Sequence, residues 1–249
     1  MDTTLPPLRA ISFDWGDTLA ANTGMPYEPV QRRAFSRFEQ DLRDLGGKPG
    51  TAFVERCLRE QFDAYKLSVD TVRNPAGDEM DYLALFARWV TESGLDPAVA
   101  DEAVARCEDE LTDVLALFAS VEPVLSELKR RGYLIGILSH IIWSGPACER
   151  YFKRHQLDHL IDAYSFSSAV GRRKPDPRHF DDLIGKLGVP VDSILHIGDN
   201  PGRDITGAHK YGFKTCLLET GNVHNADDVR DCNPDLRIVR LTDLLELLP

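Results

Sequence analysis

The sequence predicts an α/β protein: a three-layer, Rossmann-like parallel-sheet core interrupted by an all-helical cap. Three observations carry this reading. Short apolar runs recur at 8–13, 133–138, 163–166, 194–197, 214–218 and 237–239, each with the length and continuity of a strand buried on both faces. Those after the first are separated by amphipathic stretches such as Val121 to Arg131 and Pro177 to Leu187, the alternation that builds a parallel sheet with crossover helices. Between about residues 20 and 115 the rhythm changes, and apolar residues fall at helical spacing only.

Taken in chain order, Leu8 to Phe13 is the first strand. The interval behind it holds four apolar stripes. Val30, Ala34, Phe38, Leu42 and Leu45 form the first, and Phe53, Cys57, Gln61, Phe62 and Tyr65 the second. Tyr82, Leu85, Phe86 and Trp89 form the third, and Val99, Ala103, Val104 and Leu111 the fourth. Gly46, Gly47 and Gly50, then Asn74, Pro75 and Gly77, then Gly94 and Pro97 punctuate them, so about four helices with short links are expected. The expected division is a core of residues 1–19 and 115–249 with a helical cap at 20–114. Ligands of open parallel sheets bind beyond the carboxyl ends of the strands, so whatever follows Phe13, Leu138, Ser168 and Ile197 faces one crevice, which the cap could cover.

Composition narrows the partners. With 29 Lys and Arg against 40 Asp and Glu among 249 residues, the formal charge is −11, which argues against a polyanion-binding surface, so nucleic acid is not expected. No run of about 18 apolar residues is present, and no membrane span is expected. The start MDTTLPPLRA carries an acidic residue at position 2 and no apolar run behind a basic stretch, which points to a cytoplasmic protein. Cys57, Cys107, Cys148, Cys216 and Cys232 are odd in number, scattered and without a CxxC pair, and are read as reduced structural thiols. Oligomeric state is not legible.

Four segments carry chemistry. The first strand ends FDWGDTL, placing Asp14 at its tip, where a carboxylate beside a metal can attack phosphorus directly. YLIGILSH ends in Ser139, a hydroxyl able to hold a phosphoryl oxygen from the same crevice. GRRKPDP sets Lys174 in a Pro-braced loop, where an ammonium can neutralise charge on a transferring group. The run Ile194 to Ile197 leads into GDNPGRD, with Asp199 at the strand end and Asp204 five residues on. Two carboxylates sharing so small a site call for a cation, and hard oxygen donors favour Mg2+.

In this combination and order, FDWGDTL, LIGILSH, GRRKPDP and HIGDNPGRDITGA resemble the haloacid dehalogenase-like hydrolase superfamily, in particular its phosphatase branch with a helical cap inserted after the first strand. The resemblance covers essentially the whole chain. It implies that Asp14 is the nucleophile and a Mg2+ ligand, with the Gly16 carbonyl and Asp199 as further ligands. Asp204 would help hold the metal or its waters, and Thr18, Ser139 and Lys174 would position or neutralise the phosphoryl group of a small phosphate ester.

Two departures stand out. The family's phosphatases carry, two residues after the nucleophile, an Asp that protonates the leaving group; here it is Gly16, and Asp17 beside it is expected to point elsewhere. Gly16 could also mark a backbone conformation open to glycine alone. His140 follows the hydroxyl residue where Asn is common, and could contact substrate or supply a proton. The alternatives are a catalytically weak regulator that binds Mg2+ and phosphate, or a phosphonate hydrolase, which would need a cap lysine such as Lys48 or Lys66 to form a Schiff base. A metal-independent dehalogenase fits the Asp199, Asp204 and Lys174 set poorly. Polar candidates for specificity run from Asn22 to Tyr27 and around Arg56 and Tyr65.

Overall fold

The computed structural model describes residues 7–22, 27–70, 72–74, 77–222 and 229–249. Strand β1 (Ala10–Phe13) is followed by β2 (Ala20–Asn22), by helices α1 (Tyr27–Asp44), α2 (Phe53–Val69), α3 (Tyr82–Glu92) and α4 (Asp101–Thr112), and by β3 (Leu115–Leu117). The rest alternates through α5 (Val121–Arg130), β4 (Leu134–Ser139), α6 (Gly145–Arg154), β5 (Ala163–Phe166), α7 (Ser167–Val170) and α8 (Pro177–Leu187). It continues through β6 (Ile194–Gly198), a π-helical turn at Pro201–Gly207, α9 (Ala208–Tyr211), β7 (Lys214–Leu218) and β8 (Leu236–Ile238).

Six strands pair in parallel in the order β5-β4-β1-β6-β7-β8. The order reverses beside β1, so the ligand crevice of such a sheet opens beyond the carboxyl ends of β1 and β6. Alternate residues of β1 serve two cores. Ile11 and Phe13 share one with Val124 and Leu128 of α5 and Tyr151 and Phe152 of α6. Ala10 shares the other with Phe180, Leu183 and Leu187 of α8 and Ala208 of α9. That is the expected three-layer arrangement, with helices on both faces of the sheet.

Local signals set the helix limits. In α5, Val121, Val124, Leu125 and Leu128 are buried at the i, i+3, i+4, i+7 spacing of one face. Helix α8 opens with Pro177 behind Asp176, whose side chain accepts from the Arg178 N–H at 2.9 Å, and closes on Gly188 at φ 65. In the insertion, Phe38 meets Phe53 and Phe86, and Phe35 meets Trp89 edge-on with ring centroids 5.6 Å apart.

One feature differs from the sequence reading. The two ends of the insertion are joined by antiparallel pairing of β2 with β3, from Ala20 opposite Leu117 to Asn22 opposite Leu115. Strands of three residues are too short to show an alternation. Four of the five free cysteines are buried, and Cys232 is half-buried. Among the described residues no helix is long and apolar enough to cross a membrane.

Candidate active site

The site grows from the pairing of β1 with β6. Phe13 lies opposite Ile197, and the Asp14 N–H continues the ladder by donating to the Ile197 carbonyl at 2.8 Å. Asp14 and Asp199 therefore leave adjacent strands side by side. Asp204 returns to the same point through the π-helical turn. Asn200 caps that turn by accepting from the Arg203 N–H at 2.9 Å, and the Asn200 N–H donates to Asp204 Oδ2 at 3.0 Å. Gly198 is required here, because a Cβ at that position would overlap the Asp204 carboxylate.

Lys174, from the loop between α7 and α8, ties the carboxylates together. Its Nζ donates to Asp14 Oδ1 at 2.8 Å, to Asp204 Oδ1 at 2.6 Å and to the Leu138 carbonyl at 2.8 Å, which uses all three ammonium hydrogens. Ser139 Oγ adds a 3.1 Å hydrogen bond to Asp14 Oδ1. His196 lies beneath: its Nε2 is 3.6 Å from Asp204 Oδ1, and its Nδ1 is 2.6 Å from Oγ of Ser12, its partner across the strands. Asp199 Oδ2 accepts from Asn222 Nδ2 at 3.0 Å. Asp14, Asp199 and Asp204 each present an oxygen within 4.8 Å of the others.

Burial and neighbours set the charges. Burial raises the Asp14 carboxyl above its usual range; Lys174 opposes this, and Asp204 and Asp199 add to it. Burial, then the Asp204 and Asp17 charges, push Asp199 up to about 6 against the pull of Asn222. Asp204 goes the other way: burial works against its charge, but Lys174 and His196 outweigh it and hold the carboxyl below the usual range. Burial likewise opposes the Lys174 charge, and Asp14 and Asp204 outweigh it and keep the ammonium above its ordinary value. A buried ammonium between two carboxylates thus persists as an ion.

A cavity of about 470 Å3 brings together Asp14, Gly16, His140, Lys174, Asp199 and Asp204. Two sequence candidates sit behind its wall. Ser139 is buried and engages Asp14, and Thr18 is fully buried in a turn where three successive N–H groups, from Thr18 to Ala20, donate to the Trp15 carbonyl. Thr18 Oγ1 has no hydrogen-bond partner among the described residues.

Three expectations are corrected. Asp17 does not point elsewhere: it holds a left-handed φ of 57° and lines the cavity. Gly16 is not a strained position, since its φ lies outside the left-handed region and an added Cβ would meet nothing within 4 Å. His140 is no source of protons, because burial and the nearby Arg173 and Arg203 charges bring its imidazole down to about 2. It is instead held by Glu79, at 3.3 Å from Nε2.

Glu79, with Arg173, His196 and Asn222, is what sequence reasoning missed. It lies on the loop between α2 and α3 with a fully buried side chain, and accepts from Arg173 at 2.5 Å and from Ser167 Oγ at 2.6 Å. The Glu79 N–H donates to the Gly171 carbonyl, and Arg172 pairs with Asp78, so this loop clasps the segment that carries Lys174. Arg173, adjoining Lys174 in GRRKPDP, was the one signal available; Glu79 had none.

A second cavity, of about 1080 Å3, is walled by α1, α2 and the loop after β4, and shares His140 and Arg203 with the first. Tyr27 and Tyr65 line it, whereas Arg56 is paired with Glu92 at 2.6 Å and lines neither cavity. The remaining specificity candidates at 23–26, the side chain of Asn22, and Pro75 of the second helix link lie outside the described residues. Neither Lys48 nor Lys66 lines either of these two cavities, and Lys66 Nζ sits over the Phe62 ring, 5.1 Å from its centroid.

Comparison with known proteins agrees with this geometry. The family model described as haloacid dehalogenase-like hydrolase matches residues 48–218. A glyceraldehyde 3-phosphate phosphatase from Methanopyrus kandleri is 24% identical over 244 residues, 97% of either chain. An (S)-2-haloacid dehalogenase from Pseudomonas sp. (strain YL) is 33% identical over 151 residues, 57% of this chain and 61% of that protein. The crystal structure of a HAD phosphatase from Thermococcus onnurineus superposes with a TM-score of 0.60 at 20% identity, over 97% of this chain and 98% of that one, and shares the fold.

Proposed function

Because the chain belongs to the haloacid dehalogenase-like hydrolase family, we propose that it is a Mg2+-dependent phosphatase of small phosphorylated metabolites, acting through a phospho-aspartate. Phosphatases recur among its relatives, including the Methanopyrus enzyme and a phosphoglycolate phosphatase from Aliivibrio fischeri. The observation that carries the reading is Lys174 bridging Asp14 and Asp204 with Asp199 alongside.

The donor set fits the metal. Three carboxylates within 4.8 Å and one ammonium carry a formal −2 when all are ionised, the complement of one divalent cation with a taste for oxygen ligands. Asp14, Asp199 and the Gly16 carbonyl are the groups that would hold it; Asp204, with one oxygen on Lys174 and the other on the Asn200 N–H, secures the arrangement from behind. When bound, Mg2+ supplies charge neutralisation at the phosphoryl oxygens.

The chain's own residues do the rest. Ser139 and Lys174 aim the Asp14 carboxylate, which attacks phosphorus as the ester P–O bond breaks and the departing oxygen takes up a proton. Water then attacks the same phosphorus, which releases inorganic phosphate and restores the carboxylate. With Gly16 bare and His140 neutral, Asp17 is the acid we assign to the departing oxygen, since it lines the cavity one residue beyond the missing carboxylate. The helices α1 to α4, residues 20–114, act as the cap, and the unpaired thiols suit the reducing cytoplasm. A phosphonate hydrolase finds no support, because Lys174 is the only lysine among the described cavity-lining residues and it is committed to carboxylates.

The test is Asp14→Asn assayed on phosphate esters with and without Mg2+. Loss of turnover by at least about 10³-fold is expected, since the change removes the nucleophile. Wild-type rates in the variant would remove Asp14 from the reaction, and absence of turnover in both proteins would favour a binding role.

A further inference from the structure

We infer that the second cavity holds the leaving group of the substrate, and that this group is a bulky, ring-bearing alcohol; the inference rests on the phosphatase reading above. Size comes first. The reactive cavity, at about 470 Å3, already accommodates a phosphoryl group with a short chain, whereas the adjoining 1080 Å3 matches or exceeds the roughly 300–1,000 Å3 usual for whole organic ligands. A two- or three-carbon phosphate would leave that space unused.

The walls specify the chemistry. On α2, Leu58, Phe62, Tyr65 and Val69 follow one another at helical spacing and face the cavity, and Trp143 stands in the loop after β4. Phe62 is 58% exposed and Tyr65 42%, so much of each side chain stays open, although Lys66 Nζ sits over the Phe62 ring. Aromatic rings left open beside a reactive centre suit an aromatic or alicyclic guest, which they would stack upon and desolvate.

The junction between the cavities specifies the connection. His140 and Arg203 line both, so the larger space adjoins the cavity in which a phosphomonoester would be seated on Asp14. With its imidazole neutral and Nε2 turned to Glu79, His140 presents Nδ1 as an acceptor, and this buried atom has no partner among the described residues. Arg173 Nε, a buried donor on the same cavity, is also without one.

The experiment compares n-propyl phosphate with 3-phenylpropyl phosphate, which share leaving-group acidity and differ only in the ring, and the matching non-hydrolysable alkylphosphonates by calorimetry in Mg2+. The ring is expected to raise kcat/KM, and phosphonate affinity, by about tenfold or more, and Phe62→Ala or Tyr65→Ala to cut that ratio severalfold. Both rings are exposed, so truncation does not threaten the core. Equal kcat/KM for the two esters, or a ratio that neither variant alters, overturns the inference and leaves the phosphatase reading standing. Ring-selective phosphonate binding without ester turnover would do the reverse. A dimer that Phe62→Asp dissociates, with no preference for the ring, would assign the α2 face to a second copy and overturn the inference.

Discussion

Replacing Asp199 with Asn should stabilise the metal-free protein near pH 8 while removing its response to Mg2+. The Asp199 carboxyl is brought to about 6 in the folded protein against an ordinary 3.8, through burial and the Asp204 and Asp17 charges. The folded state therefore holds this proton more tightly than the unfolded chain, and stability falls as pH rises through the window between the two values. About two pKa units at 1.36 kcal/mol each give a cost of about 3 kcal/mol, complete above about pH 6 and absent below about pH 4. Asparagine carries no charge to desolvate and keeps an oxygen to accept from Asn222 Nδ2, now 3.0 Å from Asp199 Oδ2. For a chain of this length, that difference is worth roughly 6–12 °C in melting temperature. Melting curves for both proteins in chelator at about pH 4, 6 and 8, repeated with Mg2+, test it. The gap should open with pH in chelator, and Mg2+ should close it by stabilising the wild type alone. A gap that is independent of pH, or a variant less stable than wild type at pH 8 in chelator, would refute the electrostatic reasoning.

Gly16→Asp should fold normally, given the free space at its Cβ, and raise kcat on alkyl phosphates by about tenfold or more, whereas Asp17→Asn should lower it; the opposite pattern on the same substrates would dismiss Asp17 as the acid. Glu79→Gln leaves the Arg173 guanidinium buried beside a neutral amide and should cost about 3 kcal/mol in urea unfolding, with a Glu79→Gln, Arg173→Gln double variant losing less than the sum of the singles. Additive losses would show that the two groups do not act as a pair. Gly198→Ala forces Asp204 aside and should lower both stability, by about 1–3 kcal/mol, and turnover; a variant with wild-type kcat would mean the overlap is relieved without moving the carboxylate.

The parts of this molecule that were legible in the sequence share a physical reason. A strand buried on both faces is an unbroken apolar run, so all six strands of the main sheet stood out, two with their exact bounds and four shifted by one or two residues. Topology then sends the carboxyl end of each strand to one edge, which is why Asp14, Lys174 and Asp199 could be placed together across 185 positions. Glu79 had no such signature. It stands in the polar stretch GDEMDY, where an acidic residue normally means solvent, and its burial depends on Arg173, 94 positions away. The error over His140 has the same origin: strand position predicted its proximity to substrate, but its protonation is set by Arg173 and Arg203, which folding brings near.

Two features with separate origins converge on the substrate. Gly16 sits in open space with an ordinary backbone, so nothing steric prevents a carboxylate there. Protonation matters most when the departing oxygen is strongly basic, and with Gly16 bare the acid assigned to that oxygen is Asp17, one residue on in the same cavity. The larger cavity, lined by Phe62, Tyr65 and Trp143, offers rings to the remainder of the alcohol. A phosphate ester of a ring-bearing alcohol would rest its ring on the aromatic wall and its departing oxygen beside Asp17, so one substrate would engage both the turn after the nucleophile and the half-exposed rings on α2.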